Sequence, residues 1–86
     1  MFAQIITMVI AYHVTTKKKL DKYISNGFIK DPVRVWITIE EAERFSKQTG
    51  RKIILRLKIK KRDFEKLEGH KDMALISYKN LDVNSL

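Results

Sequence analysis

A histidine stands where an apolar run meets the start of a helix. The segment Ala11-Tyr12-His13-Val14-Thr15-Thr16 is followed at helical spacing by Leu20, Tyr23 and Ile24, and Gly27 closes it. This order places the imidazole of His13 where a pocket can form. A histidine at the end of a buried strand is also often a hydrogen-bonded core residue, so both interpretations stay open.

Other chemistry has little support in this sequence. Without cysteine the chain has no disulfide, thiolate ligand or cysteine nucleophile. His13 and His70 are far apart in sequence, and we expect His70 to lie in a loop. A glycine-rich phosphate loop, a serine nucleophile elbow and a paired-carboxylate motif are also missing from the sequence. We therefore predict no metal site.

The net charge of +8 on 86 residues favours anionic partners. Seven basic residues and no acidic one fall between Arg51 and Arg62. Within this segment, five side chains form a candidate nucleic-acid site: Arg56, Lys58, Lys60, Lys61 and Arg62. Surface ion pairs, or lysines that protect an edge strand from aggregation, would leave the same pattern.

Two capped helices and several strands must position these side chains. We predict a buried strand over 2–10 and a helix over 17–25, capped by Thr16 and ended by Gly27. A strand over 33–37 follows the turn at Asp31-Pro32. Thr38 and Glu41 form a capping box for a second helix from Ile39 to about Gln48.

The second half of the chain predicts two more strands. Apolar and basic residues alternate in 51–59, which indicates a half-buried strand. The apolar run 73–78 indicates the last strand. Between them, Asp63 is predicted to cap a single helical turn that carries Phe64 and Leu67. The short connections favour mixed or antiparallel pairing. The sequence thus predicts one small α+β domain over 1–86, with two short helices and one helical turn.

The order of these motifs resembles ADP-ribosyltransferase-like domains, the group that includes the catalytic domains of poly(ADP-ribose) polymerases and RNA 2'-phosphotransferases. The segment from Tyr12 to Phe28 resembles the family's first motif, a histidine on a strand before a hydroxyl residue and a short helix. Val35-Trp36-Ile37-Thr38 looks like the second motif, with tryptophan where tyrosine is usual. Asp72, just before the last apolar run, looks like the acidic residue of the third.

The resemblance implies NAD as cofactor and a role for each matching residue. His13 would hydrogen-bond the ribose next to nicotinamide, with Thr15 beside it in the cofactor site. Trp36 would stack on the nicotinamide ring, and Asp72 would stabilise the positive charge that develops on the sugar as nicotinamide leaves. A register slip of one residue would put Lys71 or Met73 in place of Asp72. Trp36 could instead cover the second sheet face under a helix.

The two functional hypotheses are a minimal NAD-binding transferase-like domain and a non-enzymatic basic protein that binds nucleic acid or a protein partner. A homodimer that completes the cleft is a third possibility, because small cores often gain stability by association. The lack of cysteine favours a cytoplasmic location. The apolar start is too short to span a bilayer, so no membrane partner is expected.

Overall fold

A computed structural model describes residues 7–70 and 73–82. Its helices are α1 (Lys17–Asn26) and α2 (Ile39–Thr49). Its strands are β1 (Met8–Thr15), β2 (Phe28–Ile29), β3 (Val33–Trp36), β4 (Ile53–Lys60), β5 (Glu65–Lys66), β6 (Ala74–Ser77) and β7 (Leu81–Asp82). Two helices on antiparallel strands confirm the α+β class. No helix in the described ranges is long and apolar enough to cross a membrane.

Both helices begin and end as their sequences predict. The Thr16 hydroxyl accepts a hydrogen bond from the Lys19 amide at 3.2 Å, and Gly27 ends α1 with a left-handed φ of 85°. The Thr38 hydroxyl accepts from the Glu41 amide at 3.2 Å in the same way, and Gly50 ends α2 with a φ of 73°. Only glycine adopts such backbone angles without strain, so each helix stops at a defined residue.

The main sheet has the strand order β4-β1-β3-β6-β5, and every neighbouring pair is antiparallel. Strand β1 pairs with β4 along its whole length, from Met8 opposite Lys60 to Thr15 opposite Ile53. Its pairing with β3 is limited, among the described residues, to Tyr12 opposite Trp36. Strands β2 and β7 form a separate two-stranded ribbon.

Apolar side chains are buried on both faces of the sheet. One face holds a cluster that includes Ala11, Val35 and Leu57, and Tyr23 of α1 packs against it. The other face holds Val14, Trp36, Ala42 and Ala74, with α2 covering it. The central strands are therefore covered on both sides where the helices lie.

The two-sided cover explains why the predicted end of the first strand, at Ile10, is wrong. Within the described residues this strand runs to Thr15, beyond the predicted end at Ile10, and His13 lies inside it. Both Val14 and Thr15 are buried, so the polar and apolar positions do not alternate at this end of the strand. The predicted residues 2–6 lie outside the described ranges.

The helical turn was also placed wrongly. A 3-10 turn spans Lys61–Asp63, so it ends at Asp63 instead of beginning there. Phe64 has extended backbone angles, and β5 follows at Glu65–Lys66 as an edge partner of β6. Phe64 packs against the first cluster and Leu67 against the second, so pairing with β6 prevails over local helix capping.

Strand β4 provides a direct test of the register. Leu57 is fully buried opposite Ala11, whereas its neighbour Lys58 is exposed on the other face. We expect Leu57→Ala to lower the free energy of unfolding by about 2–5 kcal/mol through the cavity it leaves. Lys58→Ala should change it by less than about 0.5 kcal/mol. Urea denaturation measures both, and equal effects would contradict the register.

Candidate functional site

A groove of about 450 Å³ opens where the end of β1 meets the start of α1, the turn before β3 and the end of α2. His13, Thr15 and Trp36 all line this groove. The three cofactor-binding residues predicted from the sequence therefore share one concave surface. Asp72 and Lys71 lie outside the described residues.

Both ring nitrogens of His13 have partners. Its Nδ1 lies 2.7 Å from the backbone carbonyl oxygen of Arg34, and its Nε2 lies 3.3 Å from the Tyr23 hydroxyl. Because a carbonyl oxygen only accepts, Nδ1 must carry the proton that it donates there. In the neutral ring Nε2 is then an acceptor, and it accepts from the Tyr23 hydroxyl.

The Tyr23 hydroxyl joins α1 to the end of β1. It accepts a hydrogen bond from the Thr15 hydroxyl at 3.4 Å while it donates to His13. The Tyr23 and His13 rings also pack at a centroid distance of 5.8 Å. In the sequence Tyr23 is one of the residues that follow His13 at helical spacing, and its polar role is not visible there because the contact depends on how α1 docks on the sheet.

Burial keeps His13 neutral. Only 9% of the residue is exposed, and desolvation lowers its pKa from the ordinary value of 6.5. The hydrogen bond to Arg34 opposes this shift, while the positive charges of Lys19 and Arg51 reinforce it. A neutral His13 at physiological pH thus offers an acceptor nitrogen rather than a positive charge.

The groove lies beside the point where the backbone pairing of β1 with β3 ends. By register Tyr12 and Trp36 share one face of the sheet, so His13 points to the opposite face. Past the Tyr12–Trp36 pair the backbone pairing stops, and the His13 side chain bonds the Arg34 carbonyl instead. Residues from both faces therefore reach the same opening.

Trp36 is mainly a core residue, as the second interpretation of the sequence allowed. Only 5% of it is exposed. Its ring lies 5.2 Å from the Phe45 ring and 5.4 Å from the His70 ring, in an edge-on arrangement with the latter. It adds a small part of its surface to the groove, and stacking on nicotinamide stays a prediction. His70 lies in a loop, as predicted, and packs there against Trp36.

Positive charge dominates the lining of the groove. The lining includes five basic side chains and one acidic one, which is Asp31. The basic residues are Lys19, Lys22, Lys30, Arg34 and Arg51. The first turn of α1 contains lysines and no acid, although the helix dipole favours acids there. That departure from the usual charge pattern was the sequence signal that could have located the site.

Arg51 is held at the groove by the end of α2. The Ser46 hydroxyl donates to its carbonyl oxygen, and its own amide donates to the Thr49 hydroxyl at 3.4 Å. Its guanidinium lies 5.8 Å from the centre of the Phe45 ring, and that of Arg34 lies 5.9 Å from the same centre. In the sequence Arg51 begins the basic segment that continues to Arg62, but its side chain lines the groove.

The predicted nucleic-acid residues lie away from the groove. All five of them are exposed: Arg56, Lys58, Lys60, Lys61 and Arg62. Arg62 forms a salt bridge with Asp63, with 3.8 Å between the Arg62 Nε and an Asp63 carboxylate oxygen. The other four form no salt bridge with any residue in the described ranges. Those ranges also hold no group of three acidic or histidine side chains suited to a metal ion.

Comparison of the chain with protein-family models, with curated proteins and with solved structures gave no significant match. Its function is therefore inferred from the groove, the charges and the exposed surfaces of the chain itself.

The pKa of His13 predicts how stability depends on pH. In the unfolded chain His13 binds a proton near pH 6.5, whereas the folded state resists protonation. Stability should therefore fall as the pH drops below about 6.5 towards the lower folded pKa. We expect His13→Gln to flatten this loss between pH 7 and 5.5, measured by urea denaturation at each pH.

His70→Gln is the matched control, because it removes the other histidine of the chain. It should retain the wild-type loss of stability over the same pH range. A His13→Gln protein with the full wild-type slope would show that the burial of His13 does not cause the loss.

Proposed function

We propose that this protein binds NAD, or another nucleotide that carries ADP-ribose, in the groove beside His13. The proposal rests on the composition of the groove lining, in which basic side chains outnumber acidic ones and aromatic rings are present. Phosphate groups complement the basic side chains, and a planar base or nicotinamide complements apolar and aromatic surface. The volume of about 450 Å³ lies within the range of small-molecule sites.

The phosphates would lie between the two basic sides of the groove. Lys19 and Lys22 project from α1 on one side, and Arg51 sits at the end of α2 on the other. Arginine can bind two phosphate oxygens at once, and the lysines add positive charge. A bound phosphate would also offset the lysines that oppose the dipole of α1.

His13 would recognise the ribose. Its Nδ1 proton is committed to the Arg34 carbonyl, so Nε2 is the atom available to accept from a ribose hydroxyl. Tyr23 holds that nitrogen through a bond of 3.3 Å, which is long for an oxygen donor. A ribose hydroxyl would therefore replace the Tyr23 hydroxyl at His13 without removing a strong bond.

Transfer of ADP-ribose would require a carboxylate near the sugar. In that step the bond between ribose C1' and the nicotinamide nitrogen breaks, nicotinamide leaves with the bonding electrons, and water or another nucleophile attacks C1'. The resemblance assigns charge stabilisation to Asp72 and stacking to Trp36. We extend the proposal to this transfer reaction. We also propose a cytoplasmic location, because the chain has no cysteine and NAD is present in that compartment.

Phosphate recognition can be tested with two variants of one helix. Lys19→Gln/Lys22→Gln removes two charges from the groove, whereas Lys17→Gln/Lys18→Gln removes two exposed charges of α1 that do not line it. By isothermal titration calorimetry with NAD, we expect the first pair to weaken binding about tenfold and the second less than about twofold. Nicotinamide riboside, which lacks phosphate, should not distinguish the pairs.

Two results would contradict the binding proposal: no heat of NAD binding by the wild-type chain, or equal losses in the two lysine variants. The same titration gives the stoichiometry. A two-fold homodimer has two equivalent clefts and also binds one NAD per chain, so the homodimer is tested instead by the mass of the protein in analytical ultracentrifugation, which would be twice that of one chain.

The chemical step has its own test. If Asp72 stabilises the developing positive charge, Asp72→Asn should reduce nicotinamide release from NAD by at least about a hundredfold while the Kd for NAD changes little. Chromatographic detection of free nicotinamide measures the rate. Wild-type binding without any release of nicotinamide would limit the function to nucleotide binding.

A further inference from the structure

A second basic surface lies on β4, away from the groove. Arg56, Lys58 and Lys60 occupy alternate positions of this strand, so they project from the same face, and we call them the basic ladder. None of the three lines the groove, and none forms a salt bridge with a residue in the described ranges. No acidic side chain of residues 7–70 or 73–82 is therefore in direct ionic contact with the basic ladder.

The register places an apolar row beside the basic ladder. Arg56 lies opposite Tyr12, Lys58 opposite Ile10 and Lys60 opposite Met8. Directly opposed residues of an antiparallel pair share a face, with Cβ atoms about 5 Å apart. Met8 is 40% exposed and Ile10 is 37% exposed. We call Met8, Ile10 and the half-buried Tyr12 the apolar row.

We propose that this two-row surface binds single-stranded nucleic acid. Phosphates would follow the basic ladder, and unpaired bases would lie on the apolar row. Successive ladder residues are about 6.8 Å apart, twice the rise of an antiparallel strand. An extended nucleic-acid strand places one phosphate per nucleotide at a comparable repeat. Each nucleotide would thus meet one basic and one apolar side chain.

The apolar row favours a single strand over a duplex. In a duplex the bases are stacked inside, so a protein surface of this kind would meet mostly sugar and phosphate. Single strands expose base faces that contact apolar and aromatic side chains. The basic segment 51–62 itself contains no aromatic residue. The apolar row comes from β1, more than 40 positions earlier in the chain, and only the pairing of β1 with β4 brings the two together.

Lysines on an edge strand also protect it from aggregation. Protection by charge alone does not require neighbouring apolar side chains to stay exposed on the same face. The paired rows therefore distinguish a binding surface from simple edge protection.

A salt titration tests the basic ladder. The probe is a fluorescein-labelled twelve-nucleotide oligothymidylate, followed by fluorescence anisotropy at several salt concentrations. Three phosphate contacts contribute a slope of about −2 to the plot of log affinity against log salt concentration for a single strand. We expect the variant Arg56→Gln/Lys58→Gln/Lys60→Gln to lose about two units of slope. The matched control Lys17→Gln/Lys18→Gln/Lys47→Gln removes the same charge elsewhere and should lose less than one.

The contribution of the apolar row is tested by a second variant, which should change the affinity and leave the salt dependence unchanged. Met8→Ser/Ile10→Ser should weaken binding of the single strand severalfold while it leaves the salt slope unchanged. A duplex of the same length should bind the wild-type chain more weakly than the single strand. Saturating NAD should not displace the oligonucleotide, so this test is independent of the groove.

Three results would overturn the proposal. The basic-ladder variant could keep the wild-type slope, the duplex could bind as tightly as the single strand, or vesicles of anionic lipid could bind the chain while the oligonucleotide does not. The last result would assign the surface to a membrane. Circular dichroism of each variant confirms that the fold is intact.

Discussion

The hydrogen bond from His13 to the Arg34 carbonyl holds together the part of the sheet on which the groove depends. Backbone pairing between β1 and β3 is limited, in the described ranges, to Tyr12 and Trp36, so past that point the imidazole joins the two strands. The bond is short, at 2.7 Å, and it is partly buried, so loss of the imidazole would leave a partly desolvated carbonyl without this partner. It fixes the tautomer of His13 and leaves Nε2 facing the Tyr23 hydroxyl. One side chain thereby connects β1 to β3 and to α1, and it determines which nitrogen the groove presents as an acceptor.

The positive charge of the chain falls into two regions of different character. At the groove, basic side chains surround an opening with aromatic walls, and Phe45 holds two guanidinium groups near its ring. On β4, the charged side chains occupy alternate positions on one face of the strand. A concave site suits a compact ligand with a few phosphates, whereas a row suits an extended polymer. The same residue types therefore form two surfaces of different shape, because the fold arranges them differently.

The sequence predicted features governed by local rules. Helix caps at Thr16 and Thr38 need only neighbouring residues, and the alternation of β4 needs only one buried face. Features set by distant pairing were missed: the strand at Glu65–Lys66 exists because β6 lies beside it, and β1 extends to Thr15 because both of its faces are covered. His13 was found from its position between strand and helix. Tyr23 and Arg51 were not, since their roles depend on how α1 and α2 dock.

The place of β1 in the sheet has a consequence for how the chain folds. Its neighbours are β3 and β4, and its pairing with β4 joins residues roughly 40 to 50 positions apart. During synthesis on the ribosome, β1 therefore emerges well before the strand that covers its longer edge, and its hydrogen-bonding groups must stay accessible until β4 follows. Contacts of this separation close slowly compared with helices. The longer edge of β1 is therefore completed only after both helices, which precede β4 in the chain, have been synthesised.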